Sequence, residues 1–238
     1  SPEYEAEDTI TVNGNMDLYA VVFNRTTETD LTEDQLPQVD IYKYKQVIFV
    51  GDSRTEFMEN VLTGMGESAT KNVKFVCSAG KGLDWFTTTG WAQLYSIVQH
   101  DSNSILSKKT AVIFNFGVND LSKSADYAEY YNWIAPQLKS KGCELYFMSV
   151  NPVNRLMLPN AGRADRSEAA VRSFNQYMKA NLSSAYTYID MYSYLKSTGY
   201  SFASDHYGTG TVDDGLHYTT RTYKRIFAKC MDSLRVPA

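Results

Sequence analysis

A chain of 238 residues, 43% hydrophobic and 21% charged, has the length and make-up of one α/β domain with a short appendage. No apolar run approaches the roughly 18–20 residues that cross a bilayer, which excludes insertion into a membrane as a helix. The net charge of −4 argues against nucleic acid as a partner.

The acidity is not evenly spread. Residues 1–40 hold ten acidic side chains and one basic one, Arg25, which leaves 17 acidic and 22 basic residues in the rest. This divides the chain into an acidic N-terminal extension, residues 1–40, and a main domain, residues 41–238. Nothing at the Ser1-Pro2-Glu3-Tyr4 start resembles a leader, so any such segment is expected to have been removed or never present. Within the extension, Thr9–Val12 and Leu18–Phe23 flank Asn13-Gly14, a pattern for a hairpin or strand–turn–strand. Residues 24–40 are polar and acidic and read as a linker or a strap over the main domain.

From Lys45 onward apolar runs of strand length recur at Val47–Val50, Val73–Cys77, Ala111–Phe116, Leu145–Val150 and Tyr186–Ile189. Continuous apolar runs are what strands buried on both faces look like. Helical patterns lie between them. Tyr127, Tyr131, Ile134 and Leu138 share one face and end at Gly142, with Pro136 expected to kink or shorten that helix. Val171, Phe174, Met178 and Leu182 share another face. Tyr223, Ile226, Phe227, Cys230, Met231 and Leu234 form an amphipathic stripe near the C-terminus. Alternating strands and helices imply an α/β fold with a five-stranded parallel sheet and helices on both faces, with ligands bound beyond the carboxyl ends of the strands. The three cysteines, Cys77, Cys143 and Cys230, form no C-x-x-C pair, so they read as small buried hydrophobes rather than metal ligands or redox groups.

Three short motifs fall at those strand ends or in a loop that reaches them. Ser53, in Gly51-Asp52-Ser53, stands at a strand-to-helix turn, exposed and near a helix N-terminus that favours developing negative charge. Asn119, in Gly117-Val118-Asn119-Asp120, carries an amide able to donate to an oxyanion. His217, in Asp214-Gly215-Leu216-His217 ahead of the last helix, has an Asp three residues before it that can fold back onto the imidazole. The other ring nitrogen is then left to act as a base. Neither His100 nor His206 has this arrangement. A backbone oxyanion donor is expected from the loop Ser78-Ala79-Gly80-Lys81-Gly82-Leu83, at Gly82 first and Gly80 second. Read singly, each motif has an ordinary structural explanation: a helix cap, a turn asparagine, a surface histidine, a flexible loop. Read together and in order they supply a nucleophile, an oxyanion hole, a base and its orienting carboxylate, the equipment for acyl transfer through a serine ester. Neither metal nor organic cofactor is required, and no phosphate-binding glycine motif is present.

These residues resemble the SGNH, or GDSL-like, hydrolase superfamily over about residues 43–236. The resemblance implies a flavodoxin-like, three-layer α/β/α sandwich. It implies Ser53 as nucleophile, Asp214 and His217 completing a triad, and Ser53, Gly82 and Asn119 forming the oxyanion hole. One position departs from the family: its leucine after the nucleophile is Arg54 here. Arg54 either covers the helix start or contacts an anionic or carbonyl-rich substrate, and the structural role is preferred. Residues 9–23 resemble the end of the β-grasp-like repeats of Gram-positive cell-surface proteins. That resemblance implies a piece of a larger, exported, modular bacterial protein in an extracellular or cell-surface setting. The expected activity is hydrolysis of small acyl esters, acetyl esters of a carbohydrate in particular. Trp85, Trp91, Tyr207 and Tyr218 lie near the motif loops and serve either as sugar platforms or as core anchors. The competing functions are O-acyl transfer to a cell-wall glycan by the same residues, and a noncatalytic glycan-binding or adhesive module.

Overall fold

A computed structural model describes residues 30–39, 44–101, 109–159, 162, 164–204 and 213–234. The expected hairpin over residues 9–23, together with His206 and Tyr207, lies outside the described residues.

Five parallel strands form the central sheet: β1 (Tyr44–Gly51), β2 (Val73–Cys77), β3 (Lys109–Asn115), β4 (Cys143–Met148) and β5 (Tyr186–Ile189), in the order β2-β1-β3-β4-β5. The expected boundaries hold for β2 and β5 and shift by one to three residues elsewhere. Along β1 and β3 the burial alternates between two cores, because successive strand residues point to opposite faces. Ile48, Val50, Val112 and Phe114 face one core, while Val47, Phe49, Ala111 and Ile113 face the other. Both faces are covered by helices, so the architecture is the three-layer α/β/α sandwich.

On the first face lie α3 (Leu83–Trp85), α4 (Trp91–Asp101), α5 (Ser124–Ser140) and α6 (Glu168–Asn181), through Leu83, Leu94, Tyr131, Phe174 and their neighbours. On the second lie α1 (Ser53–Met65), the short α2 (Glu67–Thr70), α7 (Met191–Thr198) and α8 (Thr220–Ser233). The α8 stripe expected from sequence is buried in full: Tyr223, Ile226, Phe227, Cys230, Met231 and Leu234. Leu36 and Val39, from the segment before β1, enter this second core, and Asp30 pairs with Lys224 of α8 at 2.9 Å. That part of the segment straps the domain. Cys143 and Cys230 are buried and Cys77 is half-buried, and these three do not form disulfides with one another.

Of the two outcomes expected at Pro136, shortening does not occur: helix α5 runs through it to Ser140. The proline sits on the exposed face, while Tyr127, Tyr131, Ile134 and Leu138 are buried on the other. A missing ladder bond costs about 3 kcal/mol, and each of those side chains returns roughly 1.5–3 kcal/mol on burial. The Asp214–His217 motif, expected in a loop, lies instead in a strand. β7 (Asp213–Tyr218) pairs antiparallel with β6 (Phe202–Ser204), with a register irregularity between the paired positions. Buried Leu216 and Tyr218 hold it in place, so tertiary packing overrides the turn-like Asp-Asp-Gly composition.

The strand order reverses between β1 and β3, and the loops that follow these neighbouring strands diverge at their carboxyl ends. Gly51, the last residue of β1, is level with Cys77 of β2 and Asn115 of β3. Three chain segments therefore leave the sheet side by side: Asp52-Ser53, the loop after Cys77, and Phe116–Asp120.

Candidate active site

Ser53 is the first residue of α1, and Asp52 caps the helix by accepting the Arg54 N–H at 3.0 Å. The capping role thus falls to Asp52, which frees the Ser53 hydroxyl. Burial pushes the Asp52 carboxyl up to about 6, against the pull of the Arg54 N–H and guanidinium. Arg54 itself is 3% exposed. Its Nε donates to the Leu216 carbonyl at 2.9 Å, and its two terminal nitrogens donate to the carbonyls of Asn151 and Pro152, each at 2.8 Å. The guanidinium also lies 5.1 Å from the centroid of the buried Tyr218 ring. Of its two expected roles, Arg54 fills the structural one.

His217 and Asp214 arrive from the far end of the chain. In a regular strand, residues three apart point to opposite faces. Gly215 breaks that rule with a left-handed φ of 67°, a conformation that costs other residues about 1–2 kcal/mol. Asp214 folds back over this kink. Its Oδ1 accepts the Leu216 and His217 N–H groups at 2.8 and 2.7 Å, and its Oδ2 meets His217 Nδ1 at 2.6 Å. Burial alone would raise the Asp214 carboxyl, but the His217 ring and the two N–H donors outweigh it and hold it below the usual range. The other imidazole nitrogen, Nε2, lies 2.9 Å from Ser53 Oγ, and the Phe57 ring packs edge-on against the imidazole at 4.5 Å. The structure thus brings Ser53, His217 and Asp214 into one hydrogen-bonded chain with all three buried, which corrects the expectation of an exposed Ser53: the residue borders the cleft but is only 5% exposed.

The remaining expected residues lie on the two neighbouring loops. The Asn119 amide nitrogen donates to the Lys81 carbonyl at 2.8 Å, so it touches the peptide whose N–H belongs to Gly82. A Cβ at Gly82 would run into the Asp120 carboxylate, which is why no larger residue fits there. Asp120 Oδ2 accepts the Leu83 N–H at 2.9 Å, and Oδ1 accepts the Tyr127 hydroxyl at 2.8 Å. The N–H groups of Ser53 and Gly82 make no hydrogen bond among the described residues. Gly80, the second choice for the backbone donor, lines the cleft over Ser53. Of the aromatics near the motifs, Tyr218 is buried, with its hydroxyl on the Pro152 carbonyl at 2.5 Å. Trp85 packs on Phe116, and Trp91 on Tyr95.

Ser53 and His217 open into a cleft of about 360 Å³ whose walls include Ala79, Gly80, Asn119, Arg166 and Leu216. A groove of about 440 Å³ continues from it, shares Asn119, Ala164 and Arg166, and carries Ser122, Arg155 and Asp165. Sequence reading missed Arg166. It precedes the Ser167 cap of α6 in a polar loop, where nothing in the local pattern separates it from a surface cation. Its NH2 nevertheless donates to Asn119 Oδ1 at 2.9 Å. Asp120 was visible within its motif, but its hold on the loop after β2 was not.

The sequence matches the family model for GDSL-like Lipase/Acylhydrolase over residues 47–230. No curated protein matches it. Among solved structures it is similar to an assigned SGNH hydrolase from Slackia heliotrinireducens, at 12% identity and TM-score 0.52, over 80% of this chain and 99% of that one. It is similar to an assigned acylhydrolase from Bacteroides fragilis, at 16% identity and TM-score 0.53, over 85% and 91%. It is also similar to the acetyl xylan esterase AlAXEase, at 12% identity and TM-score 0.51, over 79% and 98%. At these identities the structural likeness speaks for the fold, while the family match spans most of the domain. The chain belongs to the GDSL-like lipase/acylhydrolase family, the SGNH hydrolases.

Proposed function

We propose that this protein is a serine esterase that hydrolyses small acyl esters, acetyl esters of carbohydrates in particular. The observation that carries this reading is the continuous chain from Asp214 Oδ2 through both His217 nitrogens to Ser53 Oγ, at 2.6 and 2.9 Å. In it a carboxylate fixes the imidazole tautomer and the imidazole faces a hydroxyl at proton-transfer distance. Ser53 Oγ attacks the ester carbonyl as His217 Nε2 takes its proton. The carbonyl oxygen becomes an oxyanion held by the N–H groups of Ser53 and Gly82 and by the Asn119 amide. The positive end of α1 adds a favourable field. His217 then gives the proton to the leaving alcohol, and the acyl group stays on Ser53. A water attacks this acyl-enzyme with His217 again as base, the acid departs, and Ser53 regains its proton.

Two features support a small acyl group on a polar alcohol. The walls of the cleft over Ser53 include the small residues Ala79, Gly80 and Ala164, and the groove beyond Asn119 offers Ser122, Arg155, Asp165 and Ser167. Such a lining suits hydroxyl-rich alcohols better than long acyl chains. The similarity to an acetyl xylan esterase agrees with this choice. The same open groove also leaves room for a second glycan hydroxyl as acceptor, which makes O-acyl transfer the second reading.

The test is turnover of p-nitrophenyl acetate and butyrate by wild type and Ser53→Ala, with intact mass after a serine-reactive phosphonate. Acetate-preferring turnover and a single adduct, both absent from the variant, are expected. Undiminished turnover in Ser53→Ala would sink the proposal. A new acylated product that appears only when an oligosaccharide acceptor is added would move the assignment to transfer.

A further inference from the structure

Arg166 belongs to none of the motifs read from the sequence, yet its guanidinium donates to the carbonyl oxygen of the Asn119 side chain. We propose that Arg166 is the positioning residue of the oxyanion site: it fixes which way the Asn119 amide faces and strengthens that amide as a donor. This inference rests on the reading of Ser53 as an acylated serine.

The geometry is a three-point mount. Arg166 Nε donates to the Val118 carbonyl at 2.6 Å, NH1 to the Ala164 carbonyl at 2.9 Å and NH2 to Asn119 Oδ1 at 2.9 Å. The guanidinium therefore grips the backbone just before Asn119 and the Asn119 side chain at once, with its own loop as the third support. A planar fork does this in a way a lysine ammonium does not.

An asparagine amide is nearly symmetric in shape, so packing alone does not choose between its two orientations. Here both ends are determined. Oδ1 faces a cation that only donates, and Nδ2 faces the Lys81 carbonyl, which only accepts, at 2.8 Å. Rotating the amide by half a turn would set donor against donor and acceptor against acceptor. Nδ2 has two hydrogens. One is held by Lys81, which leaves the second for the oxyanion. The cation on Oδ1 withdraws electron density through the amide and makes that second N–H a better donor to a developing negative charge. Arg166 and Asn119 both line the cleft that contains Ser53 and His217, so the positive charge also lies within the site's own field.

The interaction adds to the transition state rather than to ground-state binding, so its loss should fall on kcat. Removing an oxyanion donor outright lowers turnover about 10²–10³-fold. Arg166→Ala is expected to lower kcat at least tenfold with KM within a factor of about two. Arg166→Lys, which keeps the charge but not the fork, should recover part of the loss. Arg166→Gln, which keeps a donor without the charge, separates orientation from polarisation.

The deciding experiment is a double-mutant cycle of Arg166→Ala with Asn119→Ala, read in kcat, together with a crystal structure of folded Arg166→Ala or Arg166→Gln. If Arg166 acts through Asn119, its removal changes kcat little once Asn119 is gone, and the Asn119 amide leaves the Lys81 carbonyl in the crystal. Equal fold-losses in both backgrounds, or an Asn119 side chain unmoved in the crystal of the variant, would overturn the proposal. Wild type that shows no Ser53-dependent turnover would instead overturn the esterase reading, and the oxyanion role with it.

Discussion

The Nε–H of Arg54 reaches the carbonyl oxygen of Leu216 at 2.9 Å. The residue after the proposed nucleophile is thereby bolted to the residue before the proposed base. With the Asn151 and Pro152 carbonyls also bound, one side chain joins the start of α1, the segment after β4 and β7. It fills a place where the family has leucine, and it does so with hydrogen bonds instead of apolar packing. Arg54→Leu therefore leaves three carbonyls without this donor. At about 1–3 kcal/mol for each buried group left unpaired, a loss of at least about 3 kcal/mol in urea unfolding is expected. The Ser53–His217 distance should loosen as well, with a fall in kcat. A variant as stable and as active as wild type would mean that the clamp is dispensable.

Asp214→Asn keeps the size of the side chain but presents His217 with an amide. The imidazole loses its fixed tautomer and the stabilisation of its protonated form, so kcat should drop about 10³–10⁴-fold with the fold intact. Circular dichroism alongside p-nitrophenyl acetate kinetics checks this. A loss of less than tenfold would count against Asp214 as the orienting group.

The two site carboxylates make opposite contributions to acid stability. The native Asp214 carboxyl lies below its usual range, so the unfolded chain binds its proton first. The stabilisation it supplies is complete above about pH 4 and is lost as pH falls through the lower native value. The native Asp52 carboxyl lies at about 6, so the folded state holds the extra proton between about pH 4 and 6. Its contribution makes stability fall as pH rises through that window. Unfolding free energies from pH 2 to 8 should show the first slope vanish in Asp214→Asn and the second in Asp52→Asn. Asparagine still caps a helix, so the latter variant should fold. An unaltered pH 4–6 slope in Asp52→Asn would refute the assignment.

Gly82→Ala would drive a methyl group into the Asp120 carboxylate, which already holds Leu83 N–H and the Tyr127 hydroxyl. The loop has to shift, and a displacement near 1 Å in a reacting site costs about 10²-fold in rate. Gly80 has open space around the same position but a left-handed φ of 70°, so Gly80→Ala should weaken stability modestly and activity less. Both variants keep the backbone N–H, so kcat here reads the geometry of the loop, and a larger loss at Gly80 than at Gly82 would overturn the expected order.

Much of this was legible in the sequence because it depends on local pattern. Val73–Cys77 and Tyr186–Ile189 are apolar runs of strand length, and they became β2 and β5 without adjustment. The spacing of Tyr127, Tyr131, Ile134 and Leu138 marked the buried face of α5 even though Pro136 sits in its midst. Ser53, Asn119 and His217 could be named because each stands beside a turn residue at a strand end or within a short motif. What could not be read depends on partners far away in the chain. The strand at Asp213–Tyr218 exists through pairing with Phe202–Ser204, and a short polar segment does not announce such a partner. Arg54 could be described only as two alternatives until the carbonyls of Asn151, Pro152 and Leu216 were seen around it. Arg166 meets Asn119 across 47 positions, and no periodicity encodes that meeting.

The hydrogen bond between His217 and Ser53 closes a span of 164 residues. Synthesis proceeds from the N-terminus, and domains fold as their residues become available. The serine and both loops beside it are made early. The imidazole is made late, on a strand that α8 follows. A nascent or C-terminally clipped chain would therefore carry a serine with no means of activation. Under the proposed mechanism, activity would appear only with closure of the whole domain, so its onset would report complete folding.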